Sequence, residues 1–482
     1  MMHPNLQKQG GAPSLGAGLP GPGVVARSPA ALCSFCRSGC GLGGFVEALI
    51  TANPASPAPL LRLAPSRAAH VAPRSRHEAL LPGGRKSASG MMGLLQLLKS
   101  QFLCHLIICY VFLVSGLIVN LLQVCTLPLW RIHKQLARRI NCRLGYSISS
   151  QMVALLEWWS GTECTLYSDP QSAKFYGKEN AIVVLNHNFE IDFLCGWTFC
   201  ERYGVLGSSK VLAKKELAYV PLIGWMWYFL EIVFCKRKWE EDRKTVVQSL
   251  QNLRDYPENY WFLLHCEGTR FTEKKHQVSM QVAESKGLPK LKHHLLPRTK
   301  GFCITVQNLR GTVSAVYDST LNFRNNETPT LLGVLNGKKY HADLYVRRIP
   351  LDAIPDDEAG CSTWLHKLYQ EKDQFQDQYY QTGQFPGPTV RLPCRPWALL
   401  NWLFWASLLL YPLALLIVRV VGTGSWVTIL STVALCVAAS VGVRWMIGQT
   451  EIEKGSNYGN KNAQRNLEEE SGTHSNSHSQ TD

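Results

Sequence analysis

Between Gln101 and Trp130 the chain carries no Lys, Arg, Asp or Glu. A helix needs about 20 apolar residues to cross the hydrocarbon core of a bilayer, where every backbone N–H and C=O must be satisfied inside the segment itself. The run is long enough and reads as a membrane segment. The basic stretch "RIHKQLARRINCR" follows it directly, whereas Arg85, Lys86 and Lys99 are the few basic residues just before it. That imbalance places the downstream side in the cytoplasm. "SISSQMVALLEWWS" comes next, and its apolar and aromatic residues fit a second anchoring helix in the interface.

Two further apolar spans, Trp397 to Val418 and Trp426 to Val443, are separated only by "RVVGTGS". Such a short connection makes a helical hairpin that leaves and re-enters on one side. Trp397, Trp402, Trp405, Trp426 and Trp445, with Arg391, Arg395 and Arg444, suit the interfaces. A fourth stretch, "LAYVPLIGWMWYFLEIVFC" from Leu217 to Cys235, is also long enough to span and carries one charge, Glu231. A crossing there would separate the polar segments before and after it, so it is expected to be a buried or interfacial helix with Pro221 and Gly224 near its start. Length alone does not distinguish that from a span.

The remaining composition bounds the rest. Residues 1–90 are rich in Gly, Pro, Ala and Arg, with nine Lys and Arg against two acidic residues. This composition buries too little apolar surface to offset chain entropy and is expected to be disordered. It also has the Arg, Ser and Ala bias of a transit sequence, but no clear amphipathic helix runs through it. Cys33, Cys36 and Cys40 have partial zinc-ligand spacing without a second pair nearby. Residues 446–482 read as a polar tail. The formal charge of +15 is only moderate outside the first 90 residues and is not interrupted by a nucleic-acid-binding signature. Membrane lipids and phosphorylated substrates, not nucleic acids, are the expected partners. The 16 cysteines are scattered, many inside apolar runs, as in a reducing, cytosol-facing protein.

The middle of the chain alternates β-rich runs with helical patterns. "AIVVL", "WFLLH", "FCITV" and "SAVYDSTL" read as strands; "WEEDRKTVVQSLQNL" places Val246, Val247, Leu250 and Leu253 on one helical face. The class is α/β. Residues 361–381 read as a charged helix leading back toward the hairpin.

Three constellations carry chemistry. In "VVLNHNFEIDF" a strand ends at Asn186 and His187, and Asp192 follows the histidine by about a helical turn. A histidine at the carboxyl edge of a sheet, with a carboxylate to fix its tautomer, is arranged as a general base; equally, His187 could close the strand and Asp192 begin a helix. Spacing alone leaves both readings open. In "FLLHCEGTRF" a strand runs into Glu267, Gly268, Thr269 and Arg270, which offer close backbone approach, a hydroxyl and a guanidinium suited to phosphate. The alternative is an ordinary glycine turn with a surface ion pair. In "FCKRKWEEDR" Lys236 and Lys238 read as headgroup contacts, and Arg237 is set apart from them.

Asn186-His187 with Asp192, Phe234-Cys-Lys-Arg237, Glu267-Gly-Thr-Arg270 and Pro297 in "HLLPRTKG" stand in the order and spacing of the four blocks of the glycerolipid acyltransferases. The chain resembles the lysophosphatidic acid acyltransferases of the delta and gamma type from about Met92 to Asn460. Cys235 departs from the aliphatic residue many members have, and the fourth block is recognisable mainly from Pro297.

The resemblance implies a glycerolipid-acyltransferase-type mixed sheet flanked by helices, with an N-terminal membrane segment and a C-terminal transmembrane hairpin. The implied division is an extension over 1–90, anchoring helices over 91–164, a catalytic domain over 165–390, the hairpin over 396–445 and a tail over 446–482. It implies acyl transfer from acyl-CoA to the sn-2 hydroxyl of lysophosphatidic acid, with His187 as base and Asp192 orienting it. Arg237 and Arg270 would hold the phosphate in a pocket shaped by Glu267, Gly268 and Thr269. Acyl-CoA is a co-substrate; no cofactor or metal is called for. Another lysophospholipid acceptor such as lysophosphatidylinositol, and a noncatalytic membrane-shaping or scaffold protein, are the alternatives. A covalent route through Cys266 is disfavoured because a strand-end cysteine is usually structural. The endoplasmic reticulum membrane is the expected location, with the Golgi or outer mitochondrial membrane as alternatives.

Overall fold

The run "AIVVL" forms β2 (Ala181–Leu185), and all five of its side chains are buried. A strand apolar on both faces belongs inside a parallel sheet covered by helices on either side. In the computed structural model, which describes residues 99, 102–236, 239–390 and 395–448, β2 occupies that position. The expected extension over 1–90 with its cysteine motif, the tail beyond 448, and Arg237, Lys238 and Arg391 lie outside the described residues.

The sheet has eight strands. β2 is flanked by β5 (Trp261–Leu264) and β6 (Ala315–Phe323), and β3 (Lys210–Lys214) and β4 (Val233–Cys235) continue beyond β5, all five parallel. On the other side β7 (His341–Pro350) runs antiparallel to β6, β1 (Glu163–Ser168) runs parallel to β7, and β8 (Thr389–Val390) closes the edge antiparallel to β1. This is a mixed α/β sheet whose parallel half ends its strands along one edge.

Period-2 alternation divides the side chains between two cores. Val183, Leu185, Trp261 and Tyr317 face a core with Leu194 and Phe199 of helix α3 (Asp192–Arg202). Ile182, Val184, Phe262 and Val316 face the opposite core, covered by α5 (Trp239–Gln251), α7 (Thr299–Leu309) and α8 (Glu358–Thr382). "FCITV", expected as a strand, lies inside α7. Phe302, Cys303, Ile304, Thr305 and Val306 are all buried, and a short run buried all round has the same composition in either conformation. Packing between neighbouring helices outweighs the modest helix preference of its β-branched residues.

Among the described residues, two apolar helical stretches, Phe102–Ile132 and Trp397–Thr423, are long and apolar enough to cross a membrane. The first contains α1 (Phe102–Cys125); the second is α9 and is followed after Gly424 and Ser425 by α10 (Trp426–Gly448). The expected interfacial helix is the end of α2 (Lys134–Ala154), which starts within the basic stretch. Polar contacts tie this bundle together. Gln151 donates to Ser115 at 2.9 Å, Trp405 Nε1 to Ser147 Oγ at 2.8 Å and Asn401 Nδ2 to the Ser147 carbonyl at 2.8 Å.

Leu217 to Cys235 forms no single helix. Its helical part, α4 (Ile223–Phe229), has 7 residues and is about 10 Å long, a third of a bilayer core. The last three residues are β4, paired in parallel with β3, so Lys214 and Cys235 reach the same sheet edge. The expectation of a longer helix is therefore corrected: the segment is a crossover between two strands of the sheet. Leu222 and Glu231 bracket α4 with left-handed φ values of 69° and 54°. Leu222 packs against Gly116 and Leu230 against Gly145, positions where added Cβ atoms would meet those leucines at 3.0 and 2.8 Å. Arg138, part of the basic stretch after α1, is fully buried and pairs with Glu231 at 2.6 Å and Asp255 at 2.8 Å.

Candidate active site

β2 and β5 are parallel neighbours, so the loops leaving their carboxyl ends meet. Asn186 ends β2 by extending its pairing through the side chain: its Nδ2 donates to the Leu321 carbonyl at 3.0 Å, and its Oδ1 accepts from the Leu321 N–H at 2.8 Å. His187 is held at both backbone atoms by the turn after β5. Its N–H donates to Glu267 Oε1 at 3.1 Å, and its carbonyl accepts from the Phe271 N–H at 2.8 Å. The "NHNFEID" and "CEGTRF" segments, 80 residues apart in sequence, are one laced structure.

Asp192 opens α3 and is buried, and its Oδ2 lies 3.1 Å from His187 Nδ1 and accepts from the Phe189 N–H at 3.0 Å. With the carboxylate accepting, the His187 proton sits on Nδ1 and Nε2 keeps its lone pair. The His187 side chain remains 22% exposed. Its ring stacks on that of His265, with centroids 4.2 Å apart, and His265 Nδ1 bonds the Leu185 carbonyl at 3.0 Å. Burial and the neighbouring His187 lower the His265 pKa to about 3, so this second ring is neutral. The arrangement is that of a general base with one orienting carboxylate and one apolar wall.

Both carboxyls of the site are desolvated. Burial raises Asp192 to about 7, opposed in part by His265, the Phe189 amide and Arg270. Burial raises Glu267 to about 8, opposed by the His187 and Leu295 amides and by Lys372. Glu267 is turned inward toward the His187 backbone, so it braces the His187 loop more than it lines a ligand surface. Gly268 has φ +73°, and a Cβ there would come within 2.9 Å of Arg298 Cδ. Thr269 Oγ1 accepts from Lys275 Nζ at 3.0 Å, and the same ammonium donates to the Arg270 carbonyl at 3.2 Å. Arg270 is half-buried at this edge.

Pro297 is buried, and the next residue donates its N–H to the Cys266 carbonyl at 2.7 Å while its side chain covers Gly268. The fourth block therefore braces the third. Cys266 is buried on the face opposite the His265 ring, and burial pushes its thiol well above the ordinary range, which leaves little thiolate for nucleophilic attack. Lys236, at the end of β4, is exposed at the same edge. Arg237 lies outside the described residues. Among the described residues no group of three or more His, Cys, Asp or Glu side chains is placed to hold a metal ion.

On the face of the sheet that bears Val183 and Leu185, a cavity of about 60 Å³ lies between the sheet, α3 and α4. Leu263, Gly196, Trp197 and Met226 line it with those two strand residues. Sequence reasoning gave Asn186, His265 and Arg298 no positioning role. Each lies inside a quoted stretch, but these roles depend on contacts across strands that no local pattern contains.

Two family models match the chain: an acyltransferase model over residues 168–319 and an acyltransferase C-terminus model over 333–405. The chain is 70% identical over 376 residues to 1-acyl-sn-glycerol-3-phosphate acyltransferase delta of Homo sapiens, covering 78% of this chain and all of that one. It is 71% identical over 369 residues to the delta protein of Mus musculus, covering 77% of this chain and 98% of the relative. To 1-acyl-sn-glycerol-3-phosphate acyltransferase gamma of Homo sapiens it is 65% identical over 370 residues, again covering 77% and 98%.

Proposed function

The chain belongs to the 1-acyl-sn-glycerol-3-phosphate acyltransferase family, and on that premise we propose that it transfers a fatty acyl chain from acyl-CoA to the sn-2 hydroxyl of 1-acylglycerol 3-phosphate, making phosphatidic acid. The observation that carries the reading is the His187–Asp192 pair, 3.1 Å apart at the sheet edge. His187 Nε2 takes the acceptor hydroxyl proton as the oxygen attacks the thioester carbonyl, and Asp192 stabilises the imidazolium. The tetrahedral intermediate collapses with loss of the CoA thiolate, a good leaving group that recovers the proton from His187. The thioester is already activated, so no acyl-enzyme is required.

Arg270, with Arg237, binds the acceptor's phosphate; Gly268 and Thr269 shape that side of the pocket, and Glu267 holds the base's loop. The cavity lined by Val183, Leu185 and Trp197 is the root of the acyl-chain path, since its apolar wall lies on the His187 face of the sheet. The membrane helices deliver both lipids from the bilayer, and the endoplasmic reticulum membrane, with the sheet edge facing the cytosol, is the location this chemistry favours. The product feeds phospholipid and triacylglycerol synthesis.

The test is acyl transfer from labelled acyl-CoA to 1-acylglycerol 3-phosphate by the purified full chain and by His187→Ala. A general base contributes about 10²–10⁴-fold, so the variant is expected to lose at least ~100-fold in kcat while keeping its thermal midpoint. Full activity in His187→Ala would remove it as the base. A wild-type chain inert toward every lysophospholipid would favour a scaffold.

A further inference from the structure

The helix α8 reads in sequence as a charged helix leading back toward the hairpin, yet Lys372 at its centre is fully buried. Its Nζ donates to Asp318 Oδ1 at 2.7 Å, to the Ser319 carbonyl at 2.6 Å and to Thr320 Oγ1 at 3.1 Å, and reaches the Val184 carbonyl at 3.4 Å. Three of these acceptors are on β6 and the fourth is on β2. They lie just before the point where Asn186 bonds Leu321 and delivers His187 to the edge.

Lys372 thus reaches the strands from the face opposite the His187–Asp192 pair. A buried ammonium–carboxylate pair is weak evidence for stability, because apolar residues of similar volume generally serve a fold as well. The other charged and titratable groups here are few. Arg347 of β7 donates to Asp318 Oδ2 at 3.0 Å and to Glu371 at 2.8 Å. Tyr369 lies one turn before Lys372, the His294–Asp373 pair follows it, and Glu267 and Cys266 face it from the β5 turn. Glu267 is buried, and the Lys372 ammonium acts on its carboxyl together with the His187 and Leu295 amides.

We propose that Lys372 is a positioning residue for acyl transfer: its ammonium locks the ends of β2 and β6 beneath Asn186 and supplies the positive field in which Glu267 holds the His187 backbone. The proposal rests on His187 as the base, and it makes the catalytic edge depend on a charge supplied by α8.

The test uses the purified full chain and compares wild type with Lys372→Met, Lys372→Met/Asp318→Asn and Lys372→Arg for thermal midpoint, kcat, KM and pH profile. Lys372→Met is expected to lower kcat at least ~10-fold with KM for the lysolipid little changed, and to move the acid limb of activity to higher pH. The double variant, which removes the buried cation together with its carboxylate partner, is expected to recover the midpoint but not kcat. A double variant with wild-type midpoint, kcat and pH profile would overturn the proposal and leave the pair purely structural. Should both neutral variants fail to fold, Lys372→Arg decides alone, because it keeps the charge but misplaces it: lowered kcat at an unchanged midpoint supports the proposal and wild-type kcat overturns it. His187→Ala in the same assay separates the two claims: its full activity would remove the base and with it the premise, whereas its loss of activity beside wild-type kcat in Lys372→Arg overturns the Lys372 claim alone.

Discussion

The two faces of the central sheet solve different problems. The face bearing Val183, Leu185 and Leu263 is apolar, packs toward the membrane-associated helices and encloses a cavity. The face bearing Val184 and Asp318 packs against α5, α7 and α8 and buries an ion pair. His187 sits at the seam, with its ring and Asp192 on the first side and the Glu267 carboxylate bracing its backbone. Under the proposed reaction, a strand edge would offer an acyl-chain path and a base together, because period 2 lets one strand present apolar wall to one side and strand-end acceptors to a cation on the other.

The largest effect should come from the seam. Asp192→Asn leaves the pair's shape but no longer enforces the Nδ1 tautomer, and a loss of about 10²–10⁴-fold in kcat is expected. The pH profile sharpens this. Below pH 7 the raised Asp192 carboxyl takes up a proton and can donate to His187 Nδ1, which moves the ring proton to Nε2 and removes the base. Wild-type activity should therefore fall as pH drops through about 7, and Asp192→Asn should lack that limb. Because burial raises this carboxyl above its unfolded value, its contribution favours folding at low pH and is lost as pH rises through about 7; stability should not follow the activity curve.

Next in size is the membrane side. At Gly224 an added Cβ would meet the Leu217 and Ala218 carbonyl oxygens at 2.4 and 2.5 Å, so Gly224→Ala must displace backbone. A loss of about 1–3 kcal/mol is expected, measured as a lower thermal midpoint in detergent. The mildest change is within the cavity. Gly196 faces Leu185 with 4.0 Å of clearance at the Cβ position, and Gly196→Leu should fill the space below the base. Transfer of long acyl chains should fall about 10-fold relative to short ones, measured by competition between acyl-CoA lengths. Equal losses for all lengths would take the acyl path away from this face.

How much of this was legible depended on where a residue's partner lies. β2, β5 and β6 announce themselves because each is a β-branched or aromatic run buried on both faces. His187 and Asp192 were readable because they stand five residues apart, across a short turn that brings them together. "FCITV" misled because burial all round erases periodicity. β4 was hidden in an apolar run whose hydropathy is that of a span, and only its pairing with β3 shows the turn back. Lys372 was invisible as a site residue: in a helix of Lys, Glu, Asp and Gln, nothing local marks which cation points inward.

The central claim is the identity of the acceptor. Purified full-length chain in lipid nanodiscs, given one labelled acyl-CoA and equimolar 1-acylglycerol 3-phosphate and lysophosphatidylinositol, should convert the first to phosphatidic acid at least ~10-fold faster, as a terminal phosphate monoester held by Arg270 would favour over a headgroup phosphodiester. Preference for lysophosphatidylinositol, or indifference to 1-acylglycerol 3-phosphate, would contradict the account.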